Sequence, residues 1–133
     1  MTTHSALPTH SLFSRLEPLL AQVSKPIQYV GGEHNSVVKD WDSADVRWCL
    51  SYPDAYEVGQ PNQGVAILYE ILNEREWILA ERTYCVWPDM EAVMRTAAVP
   101  QFTLDAQRPI AEAVGLIPRP DDQTRADDRG LVL

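Results

Sequence analysis

Cysteine is scarce in this chain of 133 residues, with Cys49 and Cys85 as its two examples. Two thiols build no disulfide framework, and each falls inside or at the end of an apolar, strand-like segment. Both are expected as buried free thiols in a reducing compartment. Cationic side chains are also few: 11 Lys and Arg stand against 19 Asp and Glu, a net charge of −8. The cations are scattered and form no stripe, which excludes a nucleic-acid or anionic-membrane partner by long-range repulsion. No apolar run approaches the length of a membrane span. Residues 1–10 are polar, carry His4 and His10, and lack the apolar centre of a signal peptide. A cytoplasmic protein is expected. The few glycines form no Gly-x-Gly-x-x-Gly, no phosphate-binding P-loop and no Gly-x-Ser-x-Gly turn, so no nucleotide fold or serine-hydrolase elbow is marked.

The hydrophobic content of 45% and charged content of 23% fit one ordinary globular core. Leu12, Phe13, Leu16, Leu19 and Leu20 fall at helical spacing, interrupted by Pro18. An extended piece from Lys25 closes at Gly31-Gly32 in a turn. The run Val46–Tyr52 is rich in β-formers and predicts a strand ended by Pro53-Asp54. Val65, Ile67, Leu68, Ile71 and Leu72 follow a helical repeat, with Asn62 suited to cap its start. Ile78–Val86 predicts a second strand, and Pro88-Asp89 opens a helix with Met90, Val93, Met94 and Ala97 on one face. Gln101–Leu104 predicts a third strand, and Ile110–Ile117 a last short helix. Strand, helix, strand, helix, strand is the order of a parallel sheet wound by crossovers. Three regions follow: residues 1–26 as a flexible or short helical leader, 27–109 as the α/β domain, and 110–133 as a polar tail that reads as disordered.

In such a sheet, ligands sit outside the carboxyl ends of the strands, where helix N-termini converge with free N–H groups. Two loops hold that position, Pro53–Asn62 and Trp87–Asp89. In the first, Asp54, Tyr56, Glu57, Gly59 and Asn62 are the candidate binding residues. Each also has a structural role on offer: turn and cap for Asp54 and Asn62, packing for Tyr56, and a positive φ for Gly59. Glu33, His34, Asp40 and Asp42 have neither the spacing nor the context of a metal site. The aspartates at 121, 122, 127 and 128 read as a solvated tail. Trp41, Trp48, Trp77 and Trp87 read as packing residues. No catalytic residue is marked.

Four blocks carry a resemblance: Tyr29–Trp41 with its Val-Gly-Gly-Glu-His-Asn, Tyr52–Gly59 (Tyr-Pro-Asp-Ala-Tyr-Glu-Val-Gly), Asn62–Tyr69, and Ala80–Glu91 with its Glu-Arg-Thr-Tyr-Cys-Val-Trp-Pro-Asp-Met. Together they resemble the N-terminal domain of an uncharacterised family of radical SAM proteins that contain a cobalamin-binding domain. The likeness covers roughly residues 11–109, in order and without large gaps. It implies an incomplete flavodoxin-like, cobalamin-domain-like sheet of about three strands with crossover helices. It also implies, for the parent protein, cobalamin, S-adenosylmethionine and a 4Fe-4S cluster. That cluster needs three thiolates in a Cys-x-x-x-Cys-x-x-Cys loop, which this sequence lacks. It also lacks the Asp-x-His-x-x-Gly with which many cobalamin modules supply an axial histidine. The apolar strand and helix that follow Pro109 in relatives have no counterpart, which reads as a truncation or a change of frame near residue 110. The expected role is that of the N-terminal part of a radical SAM protein with no catalytic centre of its own. The remainder of such a protein, or a second copy of the chain, is the expected partner. An edge left unpaired by so small a sheet predicts marginal stability. An independent small α/β binding module, one that pairs sheet edges as a dimer, is the alternative, and an enzyme with unmarked residues ranks below it.

Overall fold

The computed structural model describes residues 11–113 and the two-residue strand Leu131–Val132. Expectations for residues 1–10 and 114–130 lie outside the described residues. The order is α1 (Phe13–Leu20), β1 (Val46–Ala55), α2 (Tyr56–Gly59), α3 (Gln63–Asn73), β2 (Ile78–Cys85), α4 (Pro88–Ala97) and β3 (Leu131–Val132). Short 3-10 turns occupy Pro26–Tyr29 and Ile110–Glu112. The molecule is an α/β fold on a small open parallel sheet, the incomplete flavodoxin-like arrangement expected. Strand order is β2-β1-β3, all parallel, with Val46 opposite Ile78 and Tyr52 opposite Tyr84.

The elements form where local chemistry favours them. The Asn62 side chain accepts from Val65 N–H at 3.1 Å and starts α3, satisfying one of the donors a helix leaves free. Pro88 sits at the first turn of α4, where its missing N–H costs nothing. Asp89 and Glu91 lie in that turn and Arg95 in the last, as the helix dipole favours. Gly31 and Gly32 hold φ of 70° and 73°, the left-handed turn expected of the pair.

Alternate residues of the strands face opposite layers, so both faces must be covered. Cys49 and Leu79 pack with Trp41, Ala44 and Ala113 on one face. Leu50 and Ala80 pack with Tyr69 of α3 on the other. A third cluster joins Leu12, Leu16 and Leu19 to Met90, Met94 and Phe102. The leader is tied to the far end of the domain: Leu12 N–H donates to Gln107 O at 2.7 Å, and Ser11 Oγ donates to Ala106 O at 3.2 Å.

Several expectations are corrected. Gln101–Leu104 is not a strand. Phe102 forms one antiparallel bridge with Pro109, and the residues between them fold as a loop against β2. The third strand is β3, on the other side of β1. β1 runs through Pro53-Asp54 to Ala55 with a register shift after Tyr52, since Pro53 has no N–H for the ladder. The piece after Lys25 coils into a 3-10 turn, and Ile110–Glu112 is a single 3-10 turn. On α3, Tyr69 and Asn73 are the buried residues, while Ile67, Leu68 and Ile71 are 55%, 41% and 50% exposed. Cys49 is buried, but Cys85, the last residue of β2, is exposed. Trp41 is buried as a packing residue, whereas Trp77 and Trp87 reach solvent.

The outer edge of β2 is satisfied without a neighbouring strand, while on the other side of the sheet β3 pairs with β1 at two residues. Side chains and one loop amide take the place of a neighbouring strand. Lys39 Nζ donates to Ile78 O at 2.7 Å. The Asn73 side chain donates to Ala80 O at 3.1 Å and accepts from Ala80 N–H at 3.0 Å, acting as a strand residue would. Arg82 N–H donates to Asp105 Oδ2 at 3.2 Å, and Leu104 N–H donates to Arg82 O at 2.7 Å. Gln101 Nε2 donates to Tyr84 O at 2.8 Å. An edge satisfied in this way offers no template to another strand.

Candidate binding site at the carboxyl end of the sheet

The end of β1 leads into Tyr56, the first residue of α2, and β2 brings Thr83, Tyr84 and Cys85 to the same end of the sheet. The Tyr56 and Tyr84 rings meet edge to face at 5.9 Å. Tyr56 OH donates to Glu33 Oε1, and Tyr84 OH donates to Gln60 Oε1 at 2.8 Å. Tyr29 OH accepts from Trp87 N–H at 3.2 Å. Burial, with the Glu33 hydrogen bond after it, pushes the Tyr56 hydroxyl up to about 12. Burial likewise takes Tyr84 to about 12, against the pull of the Arg82 charge. Both therefore act at neutral pH as hydroxyl donors and not as phenolates.

Tyr29, Tyr56, Thr83, Tyr84, Cys85 and Gln28 line a partly open cavity of about 20 Å³. That volume holds about one water. Gln28 is buried, and its Nε2 donates to Glu57 Oε1 at 2.9 Å, which Lys25 also contacts at 2.6 Å. Its Oε1 is buried among the described residues without a hydrogen-bond partner. Past a shared wall of Cys85, Val86 and Gln101 lies an open groove of about 380 Å³, floored by Met94 and Val99 and rimmed by Glu91 and Arg95. The small cavity carries hydroxyls, amides and one thiol, with no carboxylate or imidazole in its wall. Such a lining can position a small polar group, but holds no acid–base pair.

The five candidates of the first loop are only partly gathered here. Tyr56 lines the cavity, and Glu57 anchors Gln28. Gly59 is needed for close approach: a Cβ there would stand 2.3 Å from the Tyr84 ring. Its φ is not positive, which corrects the turn role expected of it. Asp54 accepts from the adjacent Ala55 N–H, and Asn62 caps α3, so these two serve the backbone. His34 is exposed, Glu33 pairs with Tyr56, and Asp40 accepts from Asp42 N–H. Among the described residues no group of three or more His, Cys, Asp or Glu is arranged to hold a metal ion. Sequence reasoning missed Gln28, Thr83 and Gln101. The polar run Glu81-Arg82-Thr83 inside an otherwise apolar strand was the available signal.

The fold defines an α/β module whose candidate binding groups lie at the carboxyl ends of parallel strands. Residues 64–116 match the family described as radical SAM proteins, N-terminal. The matched stretch, 53 of the 133 residues, takes in α3 from its second residue, β2, α4 and the loop closing the edge of β2, and is a likeness to the N-terminal part of radical SAM proteins. It runs past Pro109, where the resemblance was expected to stop, and leaves out the blocks before residue 64. No curated protein and no solved structure matches the chain. Among the described residues no helix is long and apolar enough to cross a membrane.

Proposed function

We propose that the chain is the N-terminal, cobalamin-domain-like part of a radical SAM protein and carries no catalytic centre of its own. The observation behind this reading is the match of residues 64–116 to the radical SAM N-terminal family, a stretch that holds α3, β2 and α4 and so the β2 side of the sheet's carboxyl end. The described residues alone do not fit a corrin. The cavity at the strand ends is of water size, and the adjoining groove of about 380 Å³ lies open to solvent, whereas cofactor sites run to ~300–1,000 Å³ with most of the ligand buried. His34, the sole histidine among the described residues, is exposed and distant in role from the cavity wall. Cobalamin, S-adenosylmethionine and the 4Fe-4S cluster of the parent are therefore assigned mainly to other parts of that protein. The proposed setting is cytoplasmic, with neither nucleic acid nor membrane as partner. Anaerobic reconstitution with iron and sulfide, followed by an assay for S-adenosylmethionine cleavage, tests the reading. No cluster and no cleavage are expected, because two cysteines cannot supply three thiolates. Cleavage by the chain alone would overturn it.

A second reading, a small α/β interaction module that self-associates, draws on the exposed row Ile67, Leu68 and Ile71 of α3. Sedimentation at rising concentration decides it: a monomer throughout rejects this reading.

A further inference from the structure

The outer face of α3 carries an apolar row that the described residues leave uncovered. Ile67 and Ile71 stand one turn apart with Leu68 beside them, all exposed. The neighbouring row of the helix, Ala66, Glu70 and Glu74, walls an open groove of about 410 Å³. Asn35 and Val37 line the same groove from the segment before β1, and Tyr69 ties the two sides together: its OH accepts from Val37 N–H at 2.7 Å. From Ala66 to Glu74 the groove follows α3 for about two turns, or about 12 Å. Glu70 and Glu74 are exposed, and among the described residues neither has a cation within ion-pair distance. Both are placed against local preference. Like charges four residues apart repel, and Glu74, the C-cap residue, sits at the negative end of the helix dipole. Lys39 reaches that end, but its Nζ is spent on the carbonyls of Asn73, Arg75 and Ile78. Arg75 lies one turn past Ile71, at the far end of the apolar row.

A ridge of side chains beside a groove along a helix is the surface against which a second helix packs. We infer that this face docks a helix of a partner polypeptide, apolar along one side and flanked there by lysine or arginine. The apolar side covers Ile67, Leu68 and Ile71, and the flanking cations relieve the repulsion between Glu70 and Glu74. A second copy of the chain fits less well. Laid antiparallel on its twin, as helix dipoles favour, α3 sets the two acidic edges side by side, in a chain of net charge −8. Nucleic acid and anionic membrane meet the same repulsion.

The test is a ¹H–¹³C methyl correlation spectrum of the full chain, titrated with a synthetic amphipathic helix of Leu and Lys, against a Leu and Glu peptide of the same pattern. The expected result is a set of saturable shifts centred on the Ile67, Leu68 and Ile71 methyls, with the Leu/Lys peptide alone. The double change E70Q and E74Q, both at exposed positions, should weaken binding roughly two- to thirtyfold, the range of two surface ion pairs. I71S removes no charge and should weaken it about tenfold or more, as the loss of buried apolar area implies. The signals of each variant away from α3, unchanged, report an intact fold. Binding that ignores I71S is charge attraction without a docked face, and overturns the proposal. So does the absence of a saturable shift. A dimer that forms with rising concentration and shifts these methyls without peptide also overturns it, because a second copy is then the occupant.

Discussion

Replacing Asn73 with Leu keeps the side chain's size but removes both of its bonds to Ala80. The amide now accepts from Ala80 N–H at 3.0 Å and donates to Ala80 O at 3.1 Å, in a buried setting. Leu cannot replace either bond, so two backbone groups of β2 lose their partners away from water. Each such group costs about 1–3 kcal/mol, and the pair about 4 kcal/mol. Against a typical stability of about 5–15 kcal/mol, that is a large fraction of the whole. Urea unfolding followed by tryptophan fluorescence reads it as a lowered midpoint with an unchanged slope. The freed edge should also promote self-association, visible as light scattering that rises with concentration. A loss below about 1 kcal/mol, with the variant still monomeric, would refute the view that Asn73 stands in for a strand.

Three further predictions concern the same strand. Burial, only partly countered by hydrogen bonding from Thr103, pushes the Glu81 carboxyl up to about 7 from 4.5. The folded state then binds more protons than the unfolded one between those values, so stability is full below pH 4.5 and falls as pH rises through about 7, by about 3 kcal/mol. Glu81→Gln should flatten that profile, and a natural chain whose stability rises over the interval contradicts the assignment. Asp105→Asn leaves Arg82, now paired at 2.9 Å, as an uncompensated buried cation and should cost about 3–5 kcal/mol in denaturant unfolding. Gly59→Ala drives a methyl into the Tyr84 ring and should cost about 1–3 kcal/mol, read as a lowered Tm; an unchanged Tm would show that the ring moves aside freely.

The elements that sequence pattern located well are those whose signal is local. β-formers from Val46, the Asn62 cap and Pro88 at a helix start each act within one turn or one strand, and all three appear where expected. What the pattern misplaced depends on partners far along the chain. Gln101–Leu104 alternates like a strand, yet Gln101 and Asp105 use their side chains to bind β2, and Gln107 adopts a φ of 50° that turns the chain back. The helical repeat of α3 predicted a buried Ile67–Leu68–Ile71 face, but the tyrosine and asparagine beside it reach Val37 and Ala80 and so set the docked side. At the candidate site the first loop was found and its partners were not. Gln28 and Gln101 approach from segments that carry no motif, and only three-dimensional closure brings them to Tyr56 and Tyr84.

The ties from Ser11 and Leu12 to Ala106 and Gln107 set an order of events during synthesis. Ser11's partner is made 95 residues after it. At about 5–20 residues per second, the leader waits roughly 5–20 s before its anchor exists. The crossover from β1 to β2 closes over a much shorter stretch and can form first. The leader is therefore expected to be the last part of residues 11–113 to gain protection, and ribosome-bound chains stalled before Gln107 should be cut by protease within α1 while β1 and β2 survive.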